Sequence, residues 1–134
     1  MSLDRINPDG LPVPSGFSHA VRATGTVRVH LAGQTALDRD GRIAGQTVVE
    51  QFEQALGNLL TALRAAGGEP ADLASLTIYV VDVEDYRAHA AEIGAVWRRL
   101  AGRHYPAMAA VGVARLWDAD ALVEVQGVAE VAAG

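Results

Sequence analysis

The sequence predicts an α+β fold in which a sheet carries two helices packed on one face, within a single domain spanning residues 1–134. Three observations predict it. Two segments repeat their apolar residues with the helical period and carry recognisable start and stop signals. Five further segments alternate apolar and polar residues with the period of a strand. Half of the 134 residues are apolar and a fifth are charged, a balance that suits one globular core.

In chain order, Gly10, Pro12, Pro14 and Gly16 mark an N-terminal loop. Strands are expected over about 18–23 and 27–33, followed by a turn at Asp38-Arg39-Asp40-Gly41. Thr47-Val48-Val49-Glu50 is a capping box, and Val49, Phe52, Leu56, Leu59, Leu63 and Ala66 then recur on one helical face until Gly67-Gly68. A strand is expected over about 74–81. The second helix opens at Asp82, carries Val83, Tyr86, Ala90, Ile93, Trp97 and Leu100 on one face, and stops at Gly102. Strands over about 107–115 and 121–131 complete the chain.

The strand faces differ in character. Val27, Val29 and Leu31 share one face, as do Val123, Val125 and Ala129, and these suit packing against the helices. The opposite face is expected to carry Arg28, His30 and Ala32, then Met108, Ala110, Gly112 and Ala114, then Leu122, Glu124, Gln126 and Val128. Two helices cover only one face of such a sheet. The other is too poor in charge and too rich in small side chains for a wholly solvated surface, so a homo-oligomer with sheets packed face to face is expected.

Composition excludes several functions. The formal charge is −5, every basic residue is an arginine, and the arginines are scattered, so nucleic acid is not an expected partner. No apolar run approaches the roughly 18–20 residues that cross a bilayer, and the first residues lack a signal-peptide core. No membrane partner is expected. The chain has no cysteine, which removes disulfides, thiol catalysis and cysteine-bound metal and is compatible with a cytoplasmic location. His19, His30, His89 and His104 are dispersed without metal-ligand spacing, so no metal is expected. Neither a nucleophile elbow nor a phosphate-binding glycine loop is present.

The most informative stretch is His104-Tyr105-Pro106-Ala107-Met108 through Arg115-Leu116, followed by Leu122-Val123-Glu124-Val125-Gln126. It resembles the C-terminal signature of the RidA family (YjgF/YER057c/UK114), with Met108 standing where that signature keeps its arginine. Asn7-Pro8 and Gly16-Phe17-Ser18-His19-Ala20-Val21 resemble the family's opening segment. Ala32-Gly33-Gln34 resembles its Ser-Gly-Gln turn, Gln51 to Leu59 its first helix, and Ile78 to Asp82 its central strand.

The resemblance implies a chorismate-mutase-like sheet of about six strands, a barrel-like homotrimer, small-molecule ligands in clefts between subunits, and no cofactor. The best-known members hydrolyse 2-imino and 2-enamino acids to the keto acid and ammonia. In them the signature arginine clamps the substrate carboxylate, matching two donors to two oxygens. Met108 offers neither charge nor N–H, so ordinary imino-acid deamination is not expected here. Arg115, seven positions on, falls on the opposite face of a regular strand.

Gln126 stands where deaminating members carry a glutamate for the attacking water. A neutral amide orients water but is a poor base. Glu124 is either a displaced acid–base group or an interface ion-pair partner. Ala32 lacks the hydroxyl of the family's pocket serine. Arg28 and His30 share its face and are either cleft residues or structural ones. Phe17 and Met108 either make the pocket more apolar or are ordinary packing residues. The expected function is a trimer acting on a small imine- or enamine-type metabolite, with a non-catalytic metabolite binder as the alternative. Ribonuclease activity is disfavoured by the acidic charge.

Overall fold

The computed structural model describes residues 2–133. Strands β1 (Ser2–Ile6) and β2 (Ala20–Thr24) form an antiparallel ribbon. Gly25, with φ +66°, is the one residue between this ribbon and β3 (Thr26–Gln34). After β3 the chain forms α1 (Val48–Ala65), a 3₁₀ turn (Pro70–Asp72), β4 (Leu73–Val80), α2 (Val83–Ala88), α3 (Ala90–Ala101), β5 (Ala107–Gly112) and β6 (Val123–Ala132).

The main sheet has the order β3-β6-β4-β5. β6 runs antiparallel to both β3 and β4, and β4 and β5 are parallel. The connections β3-α1-β4 and β4-α2-α3-β5 are therefore parallel crossovers that step in the same direction across the sheet. Crossovers of one hand stepping in one direction place their helices on one face. The buried residues agree. Phe52, Leu56, Leu59 and Leu63 of α1 and Ile93, Val96 and Trp97 of α3 close a core with Leu76, Ile78, Val80, Val123, Val125 and Ala129.

Local chemistry explains the helices. Thr47 Oγ1 accepts from Glu50 N at 3.1 Å, and Glu50 Oε1 accepts from Thr47 N at 3.1 Å, completing the expected capping box. At the other end Gly67 takes φ +89°, which lets Gly67 N reach Arg64 O and Gly68 N reach Leu63 O, both at 3.0 Å. No helix among the described residues is long and apolar enough to cross a membrane.

The structure departs from the sequence expectation in four places. β1 was not anticipated. The second helix is two, because the backbone at His89 (φ −109°, ψ 19°) departs from helical geometry. Val27 shares parity with Leu31 but lies beyond the helices and is 52% exposed. The last correction concerns β5. Met108 pairs with Leu76 and Ala110 with Ile78, so Met108, Ala110 and Gly112 face the helices and not the open side. With Met108 on one face, Val111 on the other and alanines between them, β5 has no strong apolar side, and its face is set by the neighbouring strand.

One buried polar side chain holds these layers together. Gln51 is 2% exposed; its amide donates to Gly45 O (3.2 Å) and Asp120 O (3.1 Å) and accepts from Leu122 N (2.8 Å). Gln51→Leu keeps the volume but strands two carbonyls and one N–H. It should lower the unfolding free energy by about 2–4 kcal/mol, read as a reduced urea midpoint with an unchanged slope.

Candidate functional site

Two concavities lie on opposite sides of the sheet. The first, about 520 Å³, opens between α3, the start of β5 and the N-terminal loop. Its walls are apolar and aromatic: Phe52, Ile78, Tyr86, Ile93, Trp97, Tyr105 and Met108, with Ser15 and Gly16 at the loop side and Arg98 on α3. The loop is fastened there by Ser18, which is 4% exposed. Its Oγ donates to Tyr105 O at 2.6 Å and its N–H to Pro106 O at 2.9 Å. Trp97 and Tyr105 stack with ring centroids 6.1 Å apart. Burial pushes the Tyr86 phenol up to about 12, so it stays a neutral hydroxyl. Among the described residues no carboxylate or imidazole lines this cavity.

The second concavity, about 380 Å³, lies on the face away from the helices, where Val21 and Ala23 of the ribbon approach Arg28, His30, Ser75, Val128 and Glu130. Its polar centre is Glu130, whose side chain is 7% exposed although no helix covers it. Arg28 Nε and Thr26 Oγ1 each donate to its carboxylate at 2.7 Å. The Arg28 hydrogen bond first, and that of Thr26 second, hold this carboxyl below its ordinary value.

The expected site residues are divided by the sheet. Met108 is half-buried in the first cavity, and Phe17 follows the loop residues that rim it, its ring edge-on to His19 at 5.1 Å. Arg28 and His30 line the second. Gln126 is exposed on that same open face and accepts from the Tyr79 hydroxyl at 3.2 Å. Glu124 is half-buried against β3, and a side chain at Gly33 would collide with its carboxylate. Ala32 is exposed at the irregularity where β3 and β6 shift register. Arg115 turns onto its own loop, donating to Leu116 O (3.1 Å) and Trp117 O (3.3 Å). Within one subunit, then, Met108 and Gln126 do not share a cavity. Among the described residues no three of His, Asp or Glu converge as a metal site.

The sequence places Tyr86 and Trp97 on a core-facing stripe, and the cavity that they border with Arg98 is not among its expectations. A signal was available in the four-residue spacing of Gly94 and Arg98, which puts a gap and a cation on the same helical face.

Comparisons with known proteins agree with this architecture. A family model described as Endoribonuclease L-PSP matches residues 11–131. A RutC family protein of Pyrococcus horikoshii is 32% identical over 92% of this chain and 94% of its own. A 2-iminobutanoate/2-iminopropanoate deaminase of Capra hircus is 31% identical over 75% of this chain and 69% of its own. The crystal structure of YyfB from Yersinia pestis, a protein of unknown function of the conserved Rid protein family, superposes with a TM-score of 0.86 at 35% identity, covering 98% and 100% of the two chains.

The Glu130 pair yields a pH dependence. Its folded pKa is depressed, so the stabilisation is complete above the ordinary glutamate value of 4.5 and is lost as pH falls through the folded value. Glu130→Gln removes that titration. Between about pH 5 and pH 3 the variant's urea midpoint should fall less than the wild type's.

Proposed function

The chain belongs to the Endoribonuclease L-PSP family, of which the Rid proteins are members, and we propose that it acts on a small imine- or enamine-type metabolite in clefts between the subunits of a homotrimer. The reading is carried by family membership; on the resemblance to the Rid signature, Met108 takes the arginine's position, and it lies in the wall of an apolar cavity. Without an arginine at position 108 the signature's own carboxylate clamp is missing, which sets this chain apart from the deaminating members. Assembly is supported by the open sheet face, where Ala109, Val111 and Gln126 are all exposed. Because Met108 and Gln126 lie on opposite faces, a site that uses both needs groups from two subunits.

In the proposed reaction Gln126 orients a water whose oxygen adds to the C=N carbon while a proton passes to nitrogen, with Glu124 as the nearby proton carrier. The C–N bond then breaks, ammonia leaves with the remaining hydroxyl proton, and a carbonyl is formed. The acidic charge and scattered arginines argue against an RNA substrate, whatever the family's description.

A second reading, a trimer that binds a metabolite without turning it over, is favoured by one observation. Among the described residues the cavity beside Met108 has neither carboxylate nor imidazole in its lining, so they offer no base there.

Hydrolysis of 2-iminopropanoate generated in situ tests both. Met108→Arg restores a two-point carboxylate clamp and should exceed wild type by roughly 100-fold or more, since each hydrogen bond to a charged group contributes about 1.5–3 kcal/mol. Gln126→Ala in that background should abolish the gain. Full wild-type activity would overturn the role given to Met108, and silence of both proteins would favour the binder. A monomer in sedimentation would remove the common premise.

A further inference from the structure

We propose that Arg98 on α3 is this chain's anion clamp, and that the cavity it borders selects small carboxylates with an apolar or aromatic body. The inference deepens the reading above, since it assigns a ligand class to the same cavity, and rests on its being a binding site.

Among the described residues Arg98 is the one charged group in the lining, where the other side chains are apolar, aromatic or neutral hydroxyls. It is also uncommitted. Among the described residues it forms no ion pair, whereas its neighbour Arg99 pairs with Glu53 across to α1. Gly94 explains how it reaches the cavity. This glycine sits inside α3, where it weakens the helix relative to alanine, and it too lines the cavity. A Cβ at Gly94 would lie 3.3 Å from Arg98 Nη1. The guanidinium therefore folds back one turn into the space the glycine leaves, and a helix-weakening residue is accounted for by the position of a cation. With Trp97, Tyr86 and Tyr105 around an apolar floor, the arrangement offers a charged rim above an aromatic-lined pocket. Carboxylate oxygens match the two N–H donors of such a fork; an amide of the same shape lacks the charge.

The test uses the full chain with 3-phenylpropanoate and its neutral counterpart 3-phenylpropanamide, followed by calorimetric titration. Wild type should bind the carboxylate about 5- to 10-fold more tightly than the amide, a modest ratio because the guanidinium is solvent-exposed. Arg98→Gln should erase that preference and leave the amide's affinity unchanged. Arg99→Gln, which removes the same charge one residue away, should preserve it. Gly94→Ala should reduce the preference while the melting temperature stays at or above that of wild type, an outcome damage to the fold does not produce.

An unchanged preference in Arg98→Gln overturns the clamp. Amide binding equal to carboxylate binding in wild type overturns it too but leaves the cavity as a binding site. Failure of both compounds to bind wild type overturns the clamp together with the assignment of the cavity as a binding site.

Discussion

The amide of Gln51 is the hinge of this architecture. α1 crosses the sheet over β6, and β6 is the strand on which β3 and β4 both depend for their hydrogen bonds. The chain must arrive at β6 from the loop after β5 in one register, and Gln51 fixes that arrival by bonding Asp120 and Leu122 directly. The same side chain holds Gly45 before α1 begins. Three loop groups are thus satisfied by one buried amide, in a place where water does not compete. Such a bond is strong because its alternative is an unpaired group in a dry environment. Ser18 plays a smaller version of this part at the loop beside β5.

The second organising constraint is direction. Crossovers that step the same way put every helix on one side, and the sheet is left with two unlike faces. The covered face has an aliphatic core whose rim opens into the Trp97–Tyr105 cavity. The open face collects the polar residues: Arg28, His30, Glu124, Gln126 and Glu130. Chemistry that requires an apolar pocket and a polar water-positioning group is thereby split between two surfaces. In the proposed trimer, bringing them together falls to assembly.

Much of this was legible in the residues. The capping box at Thr47 and the glycine stop at Gly67 were readable because caps are local chemistry, decided by residues within a few positions of each other. The faces of β3 and β6 were readable from their valines. The face of Met108 was not, since Ala107, Ala109 and Ala110 give β5 no apolar side to declare, and only pairing with Leu76 and Ile78 fixes it. The break at His89 was hidden for a related reason: apolar periodicity runs through it from Val83 to Leu100. At the break the His89 backbone takes φ −109° and ψ 19°, and its ring Nδ1 lies 2.9 Å from Asp85 O. β1 lacks a periodic signal because Ser2 to Arg5 are half-buried on both sides.

Arg28 and Glu130 stand 102 positions apart in the chain yet meet at 2.7 Å. With Arg28 removed, Glu130 would keep only Thr26 as a partner for a carboxylate almost closed off from water. A buried charge without its counter-ion is costly. Over generations the two codons are therefore tied: drift at one site is permitted only through compensating change at the other. Distant relatives should show this pair inherited or exchanged as a unit, while the exposed Arg22 and Asp4, 3.3 Å apart on the ribbon, are free to change singly.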